Sequence, residues 1–193
     1  MKLTLEEANK IMATHNGNLN LYCRDDITEL PEGLKVKGYL DLEGTQITKL
    51  PDNLKIGGYL DLTGTQITEL PDNLQVGGSL HLTRTPITKL PDNLKVSGCL
   101  DLPETQITEL PDNFEVGGSL HLARTPITKL PDNLKVGGDL VLYGISITEL
   151  PDNLEVGGWL DLRETRVTKL PDNLNVGGTI FMPNDTEIEG FKA

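Results

Sequence analysis

The chain has 193 residues, a net charge of −12 and only 4% aromatic residues. This acidic balance argues against direct binding of nucleic acid, because a polyanion needs a basic stripe on its partner. It favours instead a protein partner with a basic and apolar surface. The sequence contains neither a signal peptide nor a run of roughly 20 apolar residues, the length of a membrane span, so no membrane association is expected.

The first 38 residues differ from the rest of the chain. Residues 1–17 predict a short helix, because Thr4 and Glu7 match a capping box and Gly17 is a typical helix stop. The apolar stripe of this helix is formed by Leu5, Ala8, Ile11 and Met12. We expect the helix to cover the N-terminal end of the core. Residues 18–38 follow as an irregular first coil.

Seven consecutive 20-residue repeats then occupy residues 39–178. Such a short, fixed period predicts a solenoid, in which each unit packs only on its neighbours. In the copy at 59–78, two leucines alternate with polar residues, which indicates a strand that pairs in parallel with its equivalents in adjacent repeats. Six apolar positions per repeat are expected to point inward: Leu60, Leu62, Ile67, Leu70, Leu74 and Val76.

Turn residues separate these apolar positions. Pro71, Asp72 and Asn73 predict a turn in which the polar side chains bond to nearby backbone. The Gly77–Gly78 pair predicts a tight bend that needs positive φ angles. After the last repeat, residues 179–193 form a thin C-terminal cap, in which Phe191 is expected to fold over the last coil.

These motifs resemble those of leucine-rich repeats. The segment Leu60-x-Leu62-x-x-Thr65-x-Ile67 is similar to the family's LxLxxNxL, and Ile67-Thr-Glu-Leu70-Pro71 is similar to a step in short bacterial members, such as secreted effectors of pathogens. The resemblance covers residues 19–182 and implies a leucine-rich-repeat-like β-solenoid that binds other proteins. Threonine replaces the family's asparagine in most repeats. The Leu74–Leu80 segment is longer than its counterpart in the family, so the convex side is expected to be either a second strand or an extended turn.

The middle of the presumed concave strands carries a row of acidic and histidine side chains. Its members are Asp41, Asp61, His81, Asp101, His121, Val141 and Asp161. A solvated charge ladder is the favoured interpretation. A partner-binding face is the second alternative, and a shared metal ion or a general base pair is the third. No metal site, cofactor or catalytic residue is assigned.

A second feature is the cluster of departures from the repeat between residues 139 and 166. The only tryptophan lies at an outward strand position there, close to tyrosine and arginine, which is the composition of a binding hot spot. Its expected contact residues are Asp139, Tyr143, Trp159, Asp161 and Arg163. Tyr39 and Tyr59 form a smaller candidate patch at the other end.

The sequence therefore predicts a non-enzymatic protein-binding module that docks a partner on its concave strand face. The alternative is an acidic inhibitor that mimics a nucleic acid, with carboxylates repeated along a rod. A third hypothesis is a structural module that binds calcium through the aspartate row that begins at Asp52. The two cysteines, Cys23 and Cys99, are too far apart in the stack to pair, so we expect a cytoplasmic protein. Delivery into a host cell stays open, as does the choice between a monomer and an end-to-end dimer.

Overall fold

The computed structural model describes residues 1–190, so the predicted packing of Phe191 lies outside the described range. Within that range the chain has one helix, α1 (Leu5–Thr14), and a series of two-residue strands that recur with the sequence repeat. The strands form two sheets that run the length of the stack. This arrangement confirms the predicted β-solenoid with parallel strand stacks and an N-terminal helix.

Over residues 1–190 the first sheet has ten strands, and in each 20-residue repeat its strand begins at the first leucine of the Leu-x-Leu segment. Neighbouring coils pair in parallel, with Leu60 opposite Leu80 and Asp61 opposite His81. In the described part of the chain, only the last strand, β18 (Glu187–Ile188), pairs antiparallel. The strands are β1 (Leu19–Asn20), β3 (Leu40–Asp41), β5 (Leu60–Asp61), β7 (Leu80–His81), β9 (Leu100–Asp101), β11 (Leu120–His121), β13 (Leu140–Val141), β15 (Leu160–Asp161), β17 (Ile180–Phe181) and β18 (Glu187–Ile188).

The second sheet settles the open question about the convex side, because the segment before each glycine pair is a strand. Within residues 1–190 this second sheet has eight parallel strands. They are β2 (Lys35–Val36), β4 (Lys55–Ile56), β6 (Gln75–Val76), β8 (Lys95–Val96), β10 (Glu115–Val116), β12 (Lys135–Val136), β14 (Glu155–Val156) and β16 (Asn175–Val176). The segment that precedes each glycine pair is therefore as regular as the first sheet itself.

The core inside the coils is built from stacked aliphatic rows. All six predicted inward positions are buried in the coil at 59–78, and their equivalents form one continuous cluster through the stack. The threonines at the family's asparagine position are buried as well, namely Thr45, Thr65, Thr85, Thr105, Thr125 and Thr165. The Thr65 hydroxyl donates a hydrogen bond of 2.7 Å to the carbonyl oxygen of Leu62 in the same coil, which satisfies a polar group inside the core.

The glycine pairs have a different physical basis from the predicted one. Positive φ angles occur at Gly44, Gly64 and Gly144, and not in the Gly-Gly pairs. A Cβ atom at Gly118 would instead lie 2.7–2.9 Å from backbone atoms of the preceding coil, at residues 98 and 99. The second glycine of each pair is needed because adjacent coils approach each other closely there, so the prediction of a φ requirement was wrong.

The Pro-Asp-Asn turn also differs in detail from the prediction, which placed bonds between its polar side chains and nearby backbone. The turn is closed by the backbone, since the Leu74 amide donates to the Pro71 carbonyl at 3.0 Å. Asn53, Asn113 and Asn133 adopt positive φ, a conformation that asparagine tolerates. One link of an asparagine ladder is present, from Asn133 Nδ2 to Asn113 Oδ1 at 3.1 Å.

Both ends of the stack are covered. Thr4 and Glu7 form the predicted capping box, and the Gly17 amide bonds to the Met12 carbonyl at the end of the helix. Ala8 and Met12 are buried, but Leu5 is 41% exposed and does not belong to the inward stripe. At the other end, β18 pairs with β17 and covers the last strand of the first sheet.

Candidate functional site

The outward side chains of the first sheet form a continuous surface, which we call the first face. Three rows of outward side chains make up this face: one row contains Trp159, the next Asp161 and the third Arg163. The first face is the surface predicted from the sequence as the concave strand face. Asp61 Oδ1 accepts a hydrogen bond of 2.9 Å from the Thr63 amide two residues later. Asp41 and Asp161 make the same contact. These aspartates therefore order the turn that follows each strand.

The centre of the first face holds an aspartate between two histidines. Nδ1 of His81 lies 2.5 Å from Oδ2 of Asp101 and forms a hydrogen bond with it. Nδ1 of His121 lies 2.6 Å from Oδ1 of the same carboxylate, within ion-pair distance. The parallel register places these three residues in direct succession on adjacent strands. The expectation of a simple solvated ladder was wrong here, because three groups converge.

Burial and charge act in opposite directions on this cluster. Burial alone raises the pKa of the Asp101 carboxyl, but the contacts from His121 and His81 outweigh it and lower that pKa well below its usual range. The same contacts with Asp101 raise the pKa of both imidazoles, against the opposing effect of their partial burial. The cluster therefore favours two protonated histidines around one carboxylate.

The cluster predicts a pH-dependent stability. The raised histidine pKa values stabilise the fold fully below about pH 6.5, the value for an unfolded histidine, and this contribution is lost as pH rises through the folded values. The lowered Asp101 pKa contributes above about pH 4. Urea unfolding at pH 5.5 and pH 8.5 is expected to show a loss of about 1 kcal/mol on raising the pH, since the groups are partly exposed.

Two variants separate this effect from general titration. Asp101→Asn is expected to remove most of the pH dependence, because the histidines lose their charge partner. Asp52→Asn, in an exposed turn away from the cluster, is expected to keep the wild-type profile. Equal pH profiles for Asp101→Asn and the wild type would contradict this assignment.

The C-terminal end of the first face carries an ordered aromatic and arginine cluster. The Trp159 and Phe181 rings meet edge to face, with centroids 5.8 Å apart. The Arg163 guanidinium lies 5.3 Å from the centroid of the same Phe181 ring. Two hydrogen bonds, of 2.9 and 2.7 Å, hold that guanidinium on the carboxylate of Asp161, whose residue is only 2% exposed. Trp159 and Phe181 are half-buried, so both keep exposed area for a partner.

Sequence reasoning identified five contact residues for this patch and missed Phe181. The signal was available, because Phe181 continues the row of Asp161 by one repeat and pairs with it in register. Asp139 has a structural role, since its Oδ1 accepts the Trp159 backbone amide at 3.0 Å. Tyr143 is half-buried one repeat before Arg163, and its interaction with the Glu164 carboxylate raises the pKa of its hydroxyl.

A smaller aromatic patch lies at the N-terminal end of the first face. The rings of Tyr39 and Tyr59 are stacked with their centroids 4.7 Å apart. Tyr59 also meets the His81 ring edge to face at 6.0 Å. The aromatic residues of this face are therefore concentrated at its two ends, with the His81–Asp101–His121 cluster between them.

Metal-binding groups, cysteines and membrane-spanning helices bear on the alternative functions considered from the sequence. Among residues 1–190, no group of three or more His, Cys, Asp or Glu side chains is arranged to hold a metal ion. Both cysteines are free thiols. The helix in the described part of the chain is too short and too polar to cross a membrane.

No protein-family model matches the sequence, and no curated protein matches it either. The fold defines the chain as a β-solenoid repeat protein. Its functional interpretation rests on the surfaces described above.

Proposed function

We propose that this chain is a non-enzymatic protein-binding module of the leucine-rich-repeat kind, which docks a partner on the first face around Trp159. The observation that carries the proposal is the Trp159–Phe181–Arg163 cluster. Tryptophan and arginine are enriched in interface hot spots, and side chains that are already ordered lose less entropy on binding. The buried Asp161 carboxylate fixes Arg163 in place before any partner arrives.

The assignment to the leucine-rich-repeat kind is supported by the coil itself. Each Leu-x-Leu segment lies in a parallel sheet, and both leucines are buried. Thr65 stands at the family's asparagine position and makes a buried hydrogen bond to the backbone of its own coil. The strand that replaces the expected convex segment sets this chain apart from that pattern.

The partner that fits this face has both apolar and basic surface. The aromatic rings supply apolar contact area, and the net charge of −12 attracts a basic protein over long range. The two free thiols suit a reducing compartment, which supports a cytoplasmic site of action.

Trp159→Ala is expected to weaken binding of such a partner by about 30-fold, the effect of removing a central hot-spot side chain. The measurement is a quantitative pull-down from lysate of the source organism or its host, with mass spectrometry and wild type alongside. Tyr22→Ala is the matched control, because Tyr22 is 53% exposed and lies at the opposite end of the stack. Equal capture by both variants would argue against the Trp159 site.

A second candidate is mimicry of a nucleic acid, favoured by one observation. Seven stacked aspartates are exposed, and none makes an ion pair among residues 1–190. They are Asp52, Asp72, Asp92, Asp112, Asp132, Asp152 and Asp172. Mimicry predicts that the captured proteins bind nucleic acid, are released by salt and are insensitive to Trp159→Ala.

A further inference from the structure

The second sheet carries a lysine cluster that the overall acidity of the chain conceals. Lys35, Lys37, Lys55 and Lys95 are all exposed, and none is within ion-pair distance of a carboxylate among residues 1–190. They line a shallow groove of about 610 Å³ over the N-terminal half of the sheet. Gly57 and Gly77 form part of its lining and leave room beside the lysine side chains.

The charge pattern in this row changes along the stack. In the C-terminal half the signs alternate, with Lys135 in register between Glu115 and Glu155 and an ion pair of 2.8 Å to Glu155. In the N-terminal half Lys35 faces Lys55 directly on the next strand. Like charges in register destabilise a sheet, so charge pairing within the stack does not account for Lys35 and Lys55, whereas Lys95 has Glu115 in register on the next strand. A negatively charged ligand would relieve the repulsion.

We propose that this groove binds an extended acidic peptide segment of a partner protein. Three strand spacings separate Lys35 from Lys95, a span of about 14 Å. An extended peptide laid along the groove presents side chains on one face about every 7 Å, within reach of the long lysine side chains. The site lies on the other sheet from Trp159 and does not depend on the first face.

The surroundings of the groove favour a peptide over a nucleic acid. Asp72 lines the groove beside Asn73, and the other turn aspartates continue along the same edge. A nucleic acid strand carries a phosphate on every nucleotide and would be repelled by this edge and by the net charge of −12. A peptide with a few carboxylates can place them on the lysines alone.

The test uses a fluorescent eight-residue peptide in which glutamate alternates with glycine, so that its carboxylates share one face, and measures its anisotropy with the full chain at about 20 mM salt, where screening is weak. The variant Lys55→Gln with Lys95→Gln is expected to weaken binding roughly tenfold. Glutamine already occupies this row at Gln75, so the fold accommodates the change. The control is Lys89→Gln with Lys129→Gln, which removes the same charge outside the groove and is expected to change the affinity by less than about twofold.

Trp159→Ala is expected to bind the peptide as the wild type does. The peptide assay therefore tests the groove proposal separately from the proposal that a partner docks on the first face. Equal weakening by both lysine double variants would overturn the proposal, because net charge alone would then explain the binding. Absence of peptide binding to the wild type would also overturn it. Tighter, Lys55- and Lys95-dependent binding of an octathymidylate would replace the peptide with a nucleic acid as the occupant.

Discussion

Replacement of Gly118 by alanine is expected to lower the free energy of unfolding by about 3 kcal/mol. The added Cβ would lie 2.7 Å from the carbonyl carbon of Gly98 and 2.8 Å from the amide nitrogen of Cys99. Both are backbone atoms of the neighbouring coil, so no side chain can move aside to make room. The coils would have to separate locally, and the parallel pairing around β11 would weaken.

Gly64→Ala is the matched control for this substitution. Gly64 has a φ of +68°, and nothing lies within 4 Å of an added Cβ. Arg84, Glu104 and Arg124 occupy the equivalent position with positive φ in other coils, so the backbone there accepts a side chain. We expect a cost of about 1 kcal/mol for Gly64→Ala, measured by urea unfolding of both variants. A cost for Gly118→Ala no larger than that of Gly64→Ala would contradict close coil packing.

Replacement of Leu100 by alanine is expected to cost about 3–4 kcal/mol, the range for removing a fully buried leucine that leaves a cavity. Leu100 is 0% exposed and lies between Leu80 and Leu120 in the first sheet, so both neighbouring coils lose contacts. For a chain of this length, thermal unfolding should shift by about 6–16 °C.

Leu5→Ala is the control with the same chemistry, because Leu5 is 41% exposed on α1. We expect it to change the free energy of unfolding by less than about 0.5 kcal/mol. Similar losses for Leu5→Ala and Leu100→Ala would mean that the aliphatic rows do not form the stabilising core.

The 20-residue period was enough to predict the architecture from the sequence. Each apolar position of one coil has an equivalent in the next, so the period alone assigns the rows around Leu60 and Leu74 to the interior. The glycine pairs were placed correctly, but their reason was not, since close approach of Gly118 to residues 98 and 99 depends on how coils stack. A pattern along one chain segment gives no distance between segments.

The candidate sites were predicted less completely. Trp159, Asp161 and Arg163 were recognised from their departure from the repeat, but the part played by Phe181 depends on ring geometry across coils. His81, Asp101 and His121 were seen as a row, and their convergence follows from side-chain conformations that the repeat does not specify. The lysine cluster around Lys55 was missed because the summed charge of the chain is acidic.

The central claim, that the first face binds a protein partner, is tested most directly by photo-crosslinking at single positions. Benzoylphenylalanine would replace Tyr143, which lies on the first face in the row of Arg163, or Tyr22 at the N-terminal end. Our account predicts that the Tyr143 position captures a defined protein in lysate and that Trp159→Ala abolishes the product, while the Tyr22 position captures nothing. Capture of the same protein from Tyr22 and not from Tyr143, or a product at Tyr143 that survives Trp159→Ala, would contradict it.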